Sequence, residues 1–249
     1  MSELRKRDLL RIALRVSLLQ ATFNFERQQG LGWAFSLAPA LRRLYPDHAL
    51  RAQRLAEHTA YFNTQPTLCS IALGAVASFE EQRAAGAPID SGSMTRVKNV
   101  LGSSLAAIGD RMFWFTLRPL CACIGLILAA GGSALGAVVM WTCYNVMHQG
   151  MRVAGVGWGY RHGPAVMSGD LRARLERMIR AWSLMGVAAV GATVAVVLVP
   201  DGTPRPIMFQ IVFVCGLAFG LIAAQRLRPS PTEWALGAGV LSLIVTWPK

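Results

Sequence analysis

The side chains that could do chemistry in this sequence are few, and they fall in three places. Asn24, Glu26 and Arg27 stand in NFERQQG, and Asn63, Thr64 and Gln65 in FNTQP. Asp110, Arg111 and Arg118 stand in AIGDRMFWFTLRP, beside Phe113, Trp114 and Pro119. Glu80 and Glu81 close the apolar run that follows the second block. A charge at the centre of a bilayer costs about 2.5–3.5 kcal/mol on insertion scales, so groups held there pair or serve a function. Carboxylates and carboxamides suit a neutral, polyhydroxylated solute. They accept from and donate to vicinal hydroxyls, and Trp or Phe can stack on the apolar face of a sugar ring. The competing reading is that Asp110–Arg118 and Glu26–Arg27 only neutralise charges at helix ends.

Other chemistries find no constellation. His48, His58, His148 and His162 stand apart, with no HExxH and no cysteine partner, so no metal is expected. A phosphohistidine needs an exposed imidazole near arginine or helix-end amides, and His162, between Arg161 and Gly163, is a weak match. GxSxG is absent, and the glycine-rich GMRVAGVGWGYRHG lacks the GxxxxGK[ST] order that cradles a nucleotide phosphate. Its glycines suit helix contact within a cytoplasmic connector. No cofactor is expected. Cys69, Cys121, Cys123, Cys143 and Cys215 all lie in or beside apolar stretches without a CxxC, and read as buried small hydrophobes.

The elements that position these groups are apolar. Of 249 residues 53% are hydrophobic and only 15% charged, and mean hydropathy is +0.40. Soluble domains carry roughly 25% charged residues, so too few polar side chains are present to cover a water-facing surface. Uncharged runs cover residues 120–147, 181–200, 207–225 and 234–248. A membrane helix needs about 20 apolar residues, which the first three supply. Glycines near the middle of 120–147 allow one tilted helix or a kinked one, and Gly125, Ala129, Gly132 and Gly136 give a face for close helix packing.

Net charge is +12, yet its distribution argues against nucleic acid. Six Lys/Arg fall in 1–29 and six in 148–180, whereas the 201–206 loop has only Arg205. This positive-inside pattern places the N-terminus and 148–180 in the cytoplasm. Near the start, Leu9, Ile12, Ala13 and Val16 form one helical face and Arg7, Arg11 and Arg15 the other. Such a helix lies on anionic headgroups or packs on the protein's own cytoplasmic side. The apolar part of 30–41 is too short to span and is interrupted by Pro39. A polar helix follows over 46–59, with Arg51, Arg54 and Glu57 at exposed spacing. Pro66 disfavours helix at Gln65, so 61–79 begins as a break. Short or broken apolar segments carrying polar residues resemble re-entrant elements, whose backbone survives at membrane depth only under protein or beside a water-filled cavity. The expected fold is all-α: a polytopic integral membrane protein of one domain, 1–249. It divides into an N-terminal amphipathic helix (1–29), broken or re-entrant segments (30–119) and a C-terminal helical bundle (120–249).

NFERQQGLG, PALRRLYP, FNTQP, FEEQRAAGAPID and AIGDRMFWFTLRP, in that order and spacing, resemble the IID membrane component of the mannose-type sugar phosphotransferase system. The likeness covers roughly residues 15–163. It implies a bacterial cytoplasmic-membrane subunit with no phosphorylation site of its own. Such a subunit pairs obligatorily with IIC to form the hexose translocation unit, in higher-order assemblies of IIC–IID pairs. Cytoplasmic IIA and IIB pass phosphate from phosphoenolpyruvate to the arriving sugar. By the same resemblance Glu26, Asn63 and Thr64 lie near the sugar, with Asn24 and Gln65 beside them, while Asp110 and Arg118 brace the broken helices. Arg111 and Phe115 depart from the family's usual residues, and Ala107 stands where glycine is common. A charged Arg111 at a packed turn is costly unless it reaches water or a carboxylate, which leaves open a transport-deficient, regulatory IID-like protein.

Overall fold

The computed structural model describes residues 3–167 and 170–197. By its internal contacts the chain divides into Met1–Thr193 and Val194–Lys249. The runs at 207–225 and 234–248 and the turn at 201–206 lie outside the described residues. The first unit holds helices α1 (Lys6–Arg15), α2 (Gly30–Leu44), α3 (His48–His58), α4 (Cys69–Ala84), α5 (Ser91–Met112), α6 (Arg118–Ala130) and α7 (Leu135–His162), with most of α8 (Asp170–Val197). No strand occurs among the described residues, only two isolated bridges at Gln28.

The centre is α4. Cys69 to Ala77 are buried on every side, as expected of a helix that is apolar all round. Its closest neighbour is α7, where the glycines of GMRVAGVGWGYRHG bring the two backbones together. A Cβ on Gly159 would overlap the Ile71 carbonyl, and one on Gly155 the Ser70 hydroxyl. The glycines do serve helix contact, but the stretch is the second half of α7 rather than a connector.

α1 packs Ile12, Ala13 and Val16 into this core and turns Arg7 and Arg11 outward, so it docks on the protein's own body. α2 runs unbroken through Pro39, contrary to the expected interruption. Proline withdraws the N–H that would bond the carbonyl four residues back. That carbonyl, on Phe35, instead accepts from Arg15 Nη1 at 3.0 Å, and the guanidinium lies 4.5 Å from the Phe35 ring centroid. α3 begins on an Asp47 cap that accepts from Leu50 N at 2.6 Å. Its Arg51, Arg54 and Glu57 are half-buried rather than exposed, because Glu57 ties α3 to Arg83 of α4 at 2.8 Å.

The run 120–147 is neither one tilted helix nor a kinked one. α6 ends at Gly131, the chain reverses through Gly132 at φ +81°, and α7 returns. Gly132 takes a left-handed conformation that a side chain would oppose, and Ser133 N closes the turn on Leu128 O at 3.1 Å. Gly125 and Gly136 then meet backbone to backbone inside the hairpin, so the expected close-packing face is used within this segment.

α5 and α6 join through a π turn, Phe113–Leu117. Thr116 Oγ1 donates to Arg111 O at 2.7 Å, and the widened turn absorbs Pro119, which cannot continue the usual ladder. The resulting Ser91–Ala130 helix has 40 residues and an apolar window of hydropathy 1.8, long and apolar enough to cross a membrane. At 1.5 Å per residue it reaches about 60 Å, twice the hydrocarbon thickness of about 30 Å, so about half of it fits within the bilayer. Cys69, Cys121 and Cys123 are buried as expected, but Cys143 is exposed on the hairpin, and Cys215 lies outside the described residues.

Candidate functional site

Two of the three polar blocks meet, and the residue that joins them is Gln29. Its carboxamide reads the backbone of Thr64 twice: Gln29 Nε2 donates to Thr64 O at 2.7 Å, and Thr64 N donates to Gln29 Oε1 at 3.0 Å. Gln29 N adds a bond to Phe62 O at 2.9 Å. The NFERQQ turn upstream is closed by Gln28 N on Asn24 O at 2.9 Å, and Asn24 Oδ1 accepts from Arg27 N at 2.8 Å. Gln28 sits at φ +52°, a region that residues other than glycine seldom occupy, so the clamp holds a strained turn in place.

The FNTQP loop is anchored as firmly. Thr64 Oγ1 donates to Gly102 O on α5 at 2.8 Å. Gln65 Oε1 accepts from Thr67 N and Leu68 N at 2.8 and 2.9 Å, capping the start of α4. α5 can lie this close because of two glycines seven residues apart. A Cβ on Gly102 would come within 3.1 Å of the Phe62 ring, and one on Gly109 within 2.6 Å of Gln65 Cβ. The third block therefore touches the second through Gly109.

These bonds sort the expected site residues. Thr64 and Gln65 are buried with their polar atoms committed to the fold, and Asn24 is half-buried and spent on its own turn. Asn63 and Glu26 point outward. Around them stand the exposed rings of Phe23, Tyr61 and Phe25, the last 96% exposed. Asp110 and Arg118 form no ion pair with each other among the described residues. Arg118 lies over Trp114, 5.4 Å from its centroid, and the ion pair of this region joins Arg111 to Glu176 of α8. Arg111 thus reaches a carboxylate.

Beneath the loops lies a charged cluster that spacing alone did not join. Trp33 packs tilted against Phe62, with centroids 4.1 Å apart and ring planes at 47°, and its Nε1 donates to His58 Nδ1 at 3.4 Å. His58 Nε2 faces Glu80 Oε1 at 3.1 Å, and Tyr45 OH donates to Glu80 Oε2 at 2.6 Å. Arg83 reaches Glu80 at 3.3 Å and Glu57 at 2.8 Å. Lys98 Nζ donates to His58 O at 3.4 Å and sits 5.3 Å from the Trp33 ring centroid. Burial pushes the His58 imidazole below its ordinary pKa, against the Glu80 hydrogen bond, so the ring is neutral with its proton on Nε2. Burial would raise the Glu80 carboxyl, but the bonds from His58 and Tyr45 and the Arg83 charge hold it below the usual carboxylate range. With both nitrogens taken inside the core, His58 cannot accept a phosphoryl group. The cluster is a brace that ties α2, α3, α4 and α5 under the Phe62 loop. Glu80 stood out in sequence as a polar group in apolar context, but nothing in the spacing pointed to His58 or Gln29.

The arrangement offers an open, hydrogen-bonding edge between two rigid loops, rimmed by aromatic rings. The profile of the family described as PTS system mannose/fructose/sorbose family IID component matches residues 3–210. The PTS system mannose-specific EIID component of Escherichia coli (strain K12) is 38% identical over 193 residues, 77% of this chain and 68% of that protein. The PTS system sorbose-specific EIID component of Klebsiella pneumoniae is 36% identical over 203 residues, 79% and 74% of the two. Among solved structures, a cryo-EM complex of the mannose transporter ManYZ with microcin E492 contains a similar chain. It aligns with TM-score 0.64 and 32% identity over 98% of this chain and 97% of that one. A second, described as a membrane protein, gives TM-score 0.72 and 30% identity over 97% and 96%. The chain belongs to the IID components of the mannose/fructose/sorbose family of sugar phosphotransferase systems.

Proposed function

We propose that this chain, acting over 1–249 as one IID unit, pairs with a IIC subunit to form the translocation path for a hexose. IIB, charged through IIA from phosphoenolpyruvate, phosphorylates the sugar on arrival. A place in the bacterial cytoplasmic membrane follows from the family; within it we infer several spans, a cytoplasmic N-terminus and assembly of IIC–IID pairs into higher oligomers. Glu26 and Asn63 supply hydrogen bonds to the sugar hydroxyls. Thr64, Gln65 and Asn24 hold those two residues in place, and Asp110 and Arg118 stiffen the π turn on either side of it.

One observation carries this reading. Gln29 locks two loops together while Asn63 and Glu26, one from each, remain directed outward. A site held this rigidly yet open on one side needs a second wall, which IIC supplies. The ion pair of Arg111 with Glu176 gives that guanidinium the carboxylate a packed turn would require, which supports the transporting reading over a transport-deficient, regulatory one. Asn63→Ala should abolish hexose uptake while co-purification with IIC is retained. Normal uptake by that variant would remove Asn63 from the sugar site.

A further inference from the structure

Along the seam of α7 and α8 two recesses meet at Trp158 and Arg174. The larger, about 280 Å3, is apolar, with Ile71, Met147, Met151, Leu175 and Met178 in its walls. The smaller, about 140 Å3, has a mixed lining that includes His162 and Asp170. Gly150 keeps the apolar recess open, since a Cβ there would meet nothing within 4 Å. The seam gives onto exposed apolar side chains at Val146, Val153, Leu184 and Met185. It also straddles a boundary in α8, which carries Arg172, Arg174, Arg177 and Arg180 and then no charge to Val197. Arg174 is half-exposed, and its ion-pair partner is Asp170, itself exposed and 3.9 Å away. That loose contact leaves most of the guanidinium's donors unspent.

An apolar recess with an under-used guanidinium among its lining residues, at the level where apolar surface gives way to arginine, offers separate places for the two parts of a lipid. We propose that this seam binds an anionic phospholipid, with an acyl chain in the apolar recess and the phosphate on Arg174. A chain moving from bilayer to slot exchanges one hydrocarbon setting for another and gains little. Selection therefore falls to the head, where a guanidinium gives charge-assisted, paired hydrogen bonds to phosphate. The surrounding arginines attract negatively charged headgroups to the same place.

The test uses the full chain in nanodiscs of equimolar phosphatidylglycerol and phosphatidylethanolamine, with retained lipids read by native mass spectrometry. The two lipids share the phosphodiester and differ in the ethanolamine ammonium, which cancels the headgroup charge beside the arginines. A charge-assisted contact corresponds to about a tenfold preference, so phosphatidylglycerol should be enriched by about that factor. Arg174→Gln should remove most of the enrichment. Arg172→Gln, the same charge change on an exposed residue outside both recesses, should preserve it. Gly150→Leu should reduce the amount of either lipid retained without lowering the melting temperature. Equal retention of the two lipids by the unaltered chain would overturn the proposal. So would equal losses in the two arginine variants, which would mark general surface attraction. Undiminished lipid in Gly150→Leu would overturn it too, showing that no acyl chain occupies the slot.

Discussion

Gln29→Leu is the change that most directly tests how the two loops are joined. Leucine keeps the bulk of a residue that is 1% exposed but removes both bonds to Thr64, at 2.7 and 3.0 Å. The Thr64 N–H and C=O are then left without partners inside the fold. Each such group costs about 1–3 kcal/mol, giving roughly 2–6 kcal/mol for a rigid loop. A loop can swing toward water instead of bearing the full cost, so about 2–3 kcal/mol is expected. At about 2–4 °C per kcal/mol for a chain of this size, that is a drop of roughly 4–12 °C in melting temperature. Trp33, packed against Phe62, provides a fluorescence reporter for melting the solubilised complex with IIC. Sugar uptake should fall with it. Gln29→Glu should do no better, because it sets a carboxylate oxygen against Thr64 O. A shift under about 1 °C, the range of an inert surface change, with uptake unchanged would refute the clamp.

Three further outcomes are expected. The fold should weaken in acid in two stages. His58 is depressed in the folded state, so the unfolded chain binds the extra proton first and stability falls as pH drops below about 6.5. Glu80, also depressed, stabilises above its unfolded pKa and loses that contribution at lower pH, as the folded carboxylate is protonated. His58→Gln should flatten the upper stage in a pH series of thermal melts. Arg111→Ala should be nearly neutral for stability and uptake, since a partly exposed pair such as Arg111–Glu176 contributes about 0–1 kcal/mol; a double-mutant cycle with Glu176→Gln measures it. Gly109→Val drives a branched side chain into Gln65, whose Cβ is 2.6 Å from the new Cβ. A loss of about 1–3 kcal/mol from overpacking and displaced uptake should follow in melting and transport assays, whereas Gly131→Ala, with 3.5 Å of room, should be tolerated.

Much of the architecture was legible because apolar runs and helix breakers are local signals. Pro66 announced the break before α4, and the order of the five blocks announced the family. The misreadings come from what a local pattern omits, whether a distant partner or the backbone dihedral of one residue. Pro39 reads as a helix breaker until Arg15, at the end of α1, satisfies the carbonyl it leaves free. The run 120–147 reads as one span because hydropathy is blind to φ, and Gly132 turns it into a hairpin. In the candidate site, the family resemblance grouped Glu26, Asn63 and Thr64, but Thr64 and its neighbour Gln65 are consumed by the scaffold. Only geometry separates a carboxamide facing outward from one that caps a helix. The Trp33–His58–Glu80–Arg83 brace joins three helices, and no spacing along the chain encodes it.

On our proposal, Glu26 and Asn63 form half of a hexose site that a IIC subunit completes. Co-expressing this chain with a IIC-type protein and the cytoplasmic phosphotransferase components, and following phosphoenolpyruvate-dependent hexose uptake, tests it most directly. Uptake should require both membrane proteins and should be lost in Asn63→Ala and Glu26→Gln while the complex still co-purifies. Wild-type uptake in both variants, or a stable complex of the unaltered proteins that takes up no hexose, would contradict it.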